Sequence, residues 1–330
     1  MNIRRIFTIA KALALFKITA KVRPLFVSWQ LTNRCNLRCR YCDYWQGKAE
    51  EELNTDEIYK IIQELAAAGT FAVSFTGGEP LLRDDIGAII SFAKAKGLAA
   101  KINTNGLLVP QKIGEINKID QVNLSFDGSE PIHDLLRGEG TYQATFKAVK
   151  TLQKIGKKIV FNTTLSKYNL TELNFILERC QEFKIGVFFQ PVTEEYLLNR
   201  DINPFTPEIS AYRQALSFLI AKRKEKRNYI YNSLSGLRYL YYWPKATAIN
   251  CHAGKLTLCI NAQGKFFSCE RLGNVTKIDT LKKAMEFSAQ DIQRNPCNRC
   301  WCGPLLELNL AFSAKFDAIV NALNIGSFAK

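Results

Sequence analysis

Cys35-Asn-Leu-Arg-Cys39-Arg-Tyr-Cys42 places three cysteines within eight residues, spaced C-x3-C-x2-C, just after the β-like run Phe26-Val-Ser-Trp-Gln-Leu-Thr32. A loop leaving a strand end can wrap three thiolates around one metal group. A [4Fe–4S] cube takes four thiolates. Three would leave one iron without a protein ligand, an open position of the kind catalytic zinc sites keep. Two other readings share the spacing: a zinc site completed by a distant residue, and three unconnected thiols.

Beyond residue 25 the chain alternates between strand-like and helix-like runs. The strand-like runs are 26–32, 71–76, 98–103, 120–126, 157–165 and 185–190, and the helix-like runs are 54–68, 84–96, 110–118, 142–155 and 169–183. Asn54 or Thr55 caps the first helix, and Gly69, Gly97 and Gly156 stop three of them. Such alternation predicts an α/β fold with a parallel sheet and right-handed crossovers. Six units are too few for a closed eight-fold barrel.

Parallel barrels build their sites at the C-terminal strand ends. Here those ends carry the three cysteines, Thr76-Gly77-Gly78-Glu79-Pro80, Asn103-Thr104-Asn105-Gly106, Ser125-Phe126-Asp127-Gly128, Asn162-Thr163-Thr164 and Gln190-Pro191. Every strand therefore delivers small or polar groups to one rim.

The cysteine motif with Tyr41 before its third cysteine, followed by Gly77-Gly78-Glu79-Pro80, resembles the signature of radical S-adenosylmethionine (SAM) enzymes over about residues 25–195. The resemblance implies a partial (β/α)6 TIM-like barrel and a [4Fe–4S] cluster on Cys35, Cys39 and Cys42. SAM would chelate the open iron through its amino and carboxylate groups. An electron from the cluster would cleave SAM to methionine and a 5′-deoxyadenosyl radical, which abstracts hydrogen from a substrate.

The same resemblance assigns SAM contacts. The backbone at Gly77 and Gly78 would hold the amino group, since glycine lets a ligand approach closely. Asn105, Ser125 and Gln190 would reach ribose or adenine, Tyr41 would stack near adenine, and Glu79 is a rim contact. Arg137 would grip the carboxylate as a bidentate fork. Each polar residue also has a plainer reading as a turn or cap, as at Asp127-Gly128. An electron donor such as flavodoxin or ferredoxin is implied as a partner.

The last third holds Cys251, Cys259, Cys269, Cys297, Cys300 and Cys302, with a hairpin expected across Lys255–Ser268 and a helix over 304–323. It resembles the opening of a SPASM or twitch domain, whose extra cysteines hold auxiliary iron–sulfur clusters. A full SPASM domain has seven cysteines in this region; this chain has six. The expectation is one auxiliary [4Fe–4S] cluster on Cys251, Cys269, Cys297 and Cys300, with Cys259 and Cys302 as substitutes. A structural four-cysteine zinc site is the competing reading. Cys180, alone between the two groups, is expected as a buried helix residue. Glu307 and Asn309 have no expected role.

Ten cysteines clustered in two groups of a 330-residue chain favour metal sites in a reducing cytosol over a disulfide framework. The net charge is +15, and residues 1–42 carry nine Lys or Arg and no acid. Residues 1–22 read as a basic amphipathic helix, too short and too charged to span a bilayer. It suits an anionic membrane surface or packing against the barrel. The expected organisation is an N-terminal helix (1–24), the radical SAM core (25–195), a helical and aromatic connector (196–248) and the auxiliary domain (249–330).

The expected localisation is cytoplasmic, peripheral to the membrane at most. No nucleic-acid module is recognisable, so nucleic acid is not an expected partner. Two histidines leave little imidazole acid–base chemistry. The substrate is open: a lipid or membrane-delivered molecule, or a ribosomal peptide. A non-catalytic zinc scaffold on the same barrel is the alternative of another class.

Overall fold

The computed structural model describes residues 23–46, 52–245, 249–269, 280–286 and 300–325. The helix expected over 1–22 and the ligand Cys297 lie outside the described residues.

The six expected strands form: β1 (Phe26–Thr32), β2 (Ala72–Gly77), β3 (Ala99–Thr104), β4 (Gln121–Ser125), β5 (Lys158–Leu165) and β6 (Gly186–Pro191). They lie in sequence order and pair in parallel. Helices α1 (Thr55–Ala67), α2 (Ile86–Ala95), α5 (Thr141–Lys154) and α6 (Leu173–Phe183) cover the outer face. Alternate strand residues such as Val27, Trp29, Leu31, Val73, Phe75 and Ile102 share one core with Ile58, Ile62, Ile89 and Ile90 of those helices. The other face is polar and lines the barrel lumen. There Asn103 bonds Ser74 (3.1 Å) and Asn123 (2.8 Å) across the strands. The result is the expected partial α/β barrel.

Three expectations change. The helix expected over 110–118 is one turn, α3 (Val109–Lys112), followed by turns through Gly114. An eight-residue helix, α4 (Glu130–Arg137), forms outside the expected helix-like runs, with Pro131 in its first turn. The C-terminal helix is two: α10 (Gly303–Phe312) and α11 (Phe316–Ile325). Ala314 turns left-handed (φ 62°), and Lys315 N–H bonds Leu310 O while Ala314 N–H bonds Ala311 O, a Schellman stop.

The expected hairpin forms as β7 (Thr257–Ile260) and β8 (Phe266–Phe267), but it extends the barrel sheet. β7 pairs in parallel with β1, and β8 lies antiparallel outside it. The open edge of β1 and the four buried residues of β7 explain the docking.

The connector packs as a seam. Residues 229–231 exchange backbone hydrogen bonds with Val187 of β6, between α7 (Ile209–Arg223) and α8 (Leu234–Leu240). The Tyr239 ring lies 5.4 Å from Trp301, and its hydroxyl accepts from Cys300 N–H at 3.0 Å. The charged residues 224–227 are exposed, a solvated helix end. α9 (Leu281–Glu286) completes the described elements.

Candidate active site

The cysteine loop is pinned at its root by the segment after β2. Gly78 N–H donates to Thr32 O (2.9 Å) and Glu79 N–H to Arg34 O (2.8 Å). Gly77 has φ 129°, and a Cβ on Gly78 would lie 2.2 Å from Arg34 O. Both glycines are therefore required by the loop itself, apart from any approach of SAM. Glu52 accepts from Thr32 Oγ1 (2.7 Å) and Asn33 N–H (3.0 Å) at the same root.

Burial first, then the neighbouring cysteines, push the Cys35 thiol up to about 11 and the Cys42 thiol up to about 12, against backbone N–H groups that pull both down. Cys39 is also raised by burial, against the pull of Arg137. Three crowded, desolvated sulfurs that resist ionising together are suited to a group that brings positive charge, so the donor set fits an iron–sulfur cluster. Among the described residues, no three His, Cys, Asp or Glu side chains converge as a single ion requires. A cube takes each cysteine on a different iron and needs no such convergence.

Asp127, at the end of β4, ties the loop to the barrel. Its Oδ2 accepts from the Tyr41 hydroxyl (2.7 Å) and Arg137 Nε (2.7 Å), and its Oδ1 from Thr164 N–H (3.0 Å). The Arg137 guanidinium stands 5.4 Å from the Tyr41 ring centre, with Nη1 3.9 Å from Cys39 Sγ. Although burial pulls it down, Asp127, Tyr41 and Cys39 hold Arg137 above its usual range. The expected open fork is thus half engaged: one edge of Arg137 is committed to Asp127 and the loop. Burial and Arg137 push His133 down to about 4, so it is neutral and accepts from Asp127 N–H (3.1 Å).

Glu79 turns inward. It accepts from Asn105 N–H (2.8 Å), Thr104 Oγ1 (2.8 Å) and Leu81 N–H (3.1 Å). Asn105 Nδ2 in turn donates to Asn36 Oδ1 in the cysteine loop (2.8 Å). Glu79 therefore joins two strand ends. Burial pushes its carboxyl from 4.5 up to about 7. A raised folded value stabilises below the unfolded value and is lost as pH rises through the folded one. Relative to Glu79→Gln, the wild type should lose about 3 kcal/mol between pH 4.5 and pH 8, read from urea melts at each pH. A flat difference would show that Glu79 titrates normally.

The strap after β6 was not anticipated. Asp43, next to Cys42, accepts from the N–H groups of Leu197 (3.1 Å), Leu198 (2.5 Å) and Asn199 (3.0 Å). The Tyr196 hydroxyl donates to Arg40 O (2.8 Å) and Asn203 Nδ2 to Tyr41 O (3.2 Å). Together these contacts lay residues 196–203 over the cysteine loop.

Ser125 sits half-buried at the β4 end, in register with Asn162. Gln190 accepts from Gly303 N–H (3.3 Å), which brings Cys302 and the start of α10 to the β6 rim. Asn309 links two expected ligand stretches, accepting from His252 N–H (2.8 Å) and donating to Cys300 Sγ (3.8 Å). Glu307 accepts from Ser233 N–H (2.8 Å) at the start of α8. Cys251 is exposed, Cys269 half-buried, and Cys259 buried on β7 opposite Ser28. Cys180 is buried on α6, as expected. None of the described cysteines forms a disulfide.

Residues 29–180 match the Radical SAM superfamily. The Fe-coproporphyrin III synthase of Methanosarcina barkeri is 33% identical over 178 residues, covering 52% of this chain and 44% of that protein. The AdoMet-dependent heme synthase of the same organism is 30% identical over 217 residues, covering 62% and 60%. The chain thus spans between 44% and 60% of the length of these two curated relatives. The Pre-heme d1 synthase of Dinoroseobacter shibae is 25% identical over 295 residues, covering 84% and 73%.

Among solved structures, Streptococcus suis SuiB bound to S-adenosylmethionine superposes with a TM-score of 0.67 at 19% identity, covering 87% of this chain and 70% of that one. Native anSMEcpe with bound AdoMet gives 0.64 at 17%, covering 92% and 98%. At these identities the structures show the fold alone. With the cysteine loop at the rim of such a barrel, residues 29–180 of this chain form a radical SAM domain.

Proposed function

We propose that this chain is a radical SAM enzyme acting on a substrate seated in the barrel lumen. Cys35, Cys39 and Cys42 would hold a [4Fe–4S] cluster and leave one iron to SAM. When bound, that pair supplies reductive cleavage of SAM and the hydrogen abstraction that follows. The observation that carries the reading is one loop with three half-buried thiols, held between Gly77–Glu79 and the Asp127–Arg137 pair at the C-terminal rim.

The protein's own part is positional. Arg137 brings positive charge to Cys39, the strap on Asp43 holds the far end of the loop, and Glu79 fixes Asn105. Tyr41, Ser125, Asn105 and Gln190 are the side chains at hand for SAM. Neutral His133 is buried behind Asp127 and offers no proton to the lumen.

The names of three sequence relatives support a tetrapyrrole substrate. A peptide substrate, as in SuiB bound to its precursor peptide, rests on likeness of fold. Asn309 beside Cys300 supports an auxiliary cluster on Cys251, Cys269, Cys297 and Cys300, which a flavodoxin- or ferredoxin-type donor would complement. The basic residues 1–22 support contact with an anionic membrane surface. No described helix is long and apolar enough to cross a membrane.

Iron and zinc per chain after anaerobic reconstitution test the reading. Wild type should bind about eight irons, and the Cys35/Cys39/Cys42→Ala variant about four, with SAM cleavage lost. Zinc without iron in both would sink it and favour a scaffold.

A further inference from the structure

The three sulfurs of the cysteine loop receive unlike hydrogen bonds. Leu37 N–H donates to Cys35 Sγ (3.4 Å), and the Tyr44 backbone N–H donates to Cys42. Cys39 Sγ instead faces Arg137 Nη1 at 3.9 Å. The first two donors are neutral backbone groups. The third belongs to a guanidinium, which keeps its charge in any folded protein.

The fold holds that guanidinium in place from several sides. Arg137 is the last residue of α4, and Gly138 (φ 122°) stops the helix behind it. Leu136 O accepts from Arg40 N–H (2.9 Å), which fastens the helix end to the loop one residue past Cys39. Asp127 is fully buried and takes Arg137 Nε at 2.7 Å. The Asp127 backbone is itself fixed: its carbonyl accepts from Asn169 Nδ2 (3.0 Å) and its N–H donates to His133 (3.1 Å). The guanidinium is thus held between the Asp127 carboxylate and the Cys39 sulfur.

Asp127 and Arg137 form a buried ion pair with its positive end toward the sulfur. Of the two charges, Arg137 acts more strongly on Cys39 than Asp127 does. Away from water such a field is weakly screened. Charge and hydrogen bonds at the sulfurs set the potential of an iron–sulfur centre. Reduction adds one electron to the cluster, so a fixed positive charge beside a ligand sulfur favours the reduced form. We propose that the Asp127–Arg137 pair raises the reduction potential of the cluster on this loop, acting through Cys39. The flavodoxin- or ferredoxin-type donor is oxidised by one electron as the cluster is reduced by one. The proposal rests on the reading that Cys35, Cys39 and Cys42 hold a cluster. It gives Arg137 a role before SAM arrives, apart from any grip on the SAM carboxylate.

The test is a redox titration of the anaerobically reconstituted full chain, without SAM, using dithionite and mediator dyes. The paramagnetic signal of the reduced cluster is the readout, after subtraction of the signal left in Cys35/Cys39/Cys42→Ala. At a given potential Arg137→Met should show a roughly ten-fold lower reduced-to-oxidised ratio, a midpoint about 59 mV more negative for a one-electron couple. Arg137→Lys keeps the charge and should recover part of the shift. Asp127→Asn keeps the shape of the side chain and removes the opposing charge, so its midpoint should move the other way. Arg40→Met, in the same loop but exposed to water, should titrate as wild type.

A wild-type midpoint in Arg137→Met, equal midpoints in the Met and Lys variants, or an equal shift in Arg40→Met would each overturn the proposal. So would shifts of one sign in Arg137→Met and Asp127→Asn, as general loosening of the loop would give. If Asp127→Asn does not load iron, the Met and Lys variants carry the comparison. A shift that appears only when SAM is added would assign Arg137 to the SAM carboxylate alone and also overturn it. Iron content separates the two readings. Wild type without iron on the loop would sink the cluster and this proposal together, whereas loaded clusters with unchanged midpoints would sink this proposal alone.

Discussion

Gly78→Ala should leave a chain that no longer loads the iron of the Cys35–Cys42 loop. The new methyl would sit 2.2 Å from Arg34 O, 2.6 Å from Arg34 C and 2.9 Å from Asn33 O, all of them backbone atoms. No rotamer relieves such a contact, so the two segments must part. Parting breaks the Gly78–Thr32 and Glu79–Arg34 hydrogen bonds, each worth about 1 kcal/mol, on top of about 1–3 kcal/mol for overpacking. Cys35 follows Arg34 directly, so the shift reaches the first thiolate. Reconstituted Gly78→Ala should lose about four irons per chain and all SAM cleavage, while the C-terminal cysteines load as before. Wild-type iron content in this variant would show that the loop tolerates the methyl and that the glycine serves another purpose.

Asp127→Ala should destabilise the chain by about 3–5 kcal/mol. It strands a buried guanidinium: Arg137 is 9% exposed and Asp127 fully buried. It also leaves the Tyr41 hydroxyl and Thr164 N–H without their acceptor. The double variant Asp127→Ala/Arg137→Met removes the orphan charge and should recover part of that loss. Chemical denaturation of the four forms gives the coupling, and cluster absorbance gives the effect on the loop. Additive losses would show that the ion pair is incidental to the fold.

The strands were legible because each is a short apolar run bounded by Gly or polar residues. The observed β1 coincides with the expected 26–32. The rim was legible too, since its residues follow the strand ends directly. What those residues do was less so. Asp127 reads locally as a turn before Gly128, but its partner Tyr41 lies 86 residues away, and no spacing rule reports that pair. Glu79 looked like a contact for a ligand, yet its three donors face inward. The α4 helix hid behind Ser129-Glu-Pro, a start signal that the adjacent Asp127-Gly128 turn masked. The break at Ala314 has no glycine or proline to announce it.

The pairing of β7 with β1 joins residues about 230 positions apart. On a ribosome, the strand that leads into the cysteine loop would emerge early and keep one edge bare until nearly the whole chain had been made. Contacts this distant in sequence are slow to close, and a bare edge invites pairing with other chains. A metallochaperone delivering iron to the nascent barrel would meet an unfinished wall. Cluster assembly should therefore follow release, and chains stalled before residue 257 should emerge without iron and prone to aggregate.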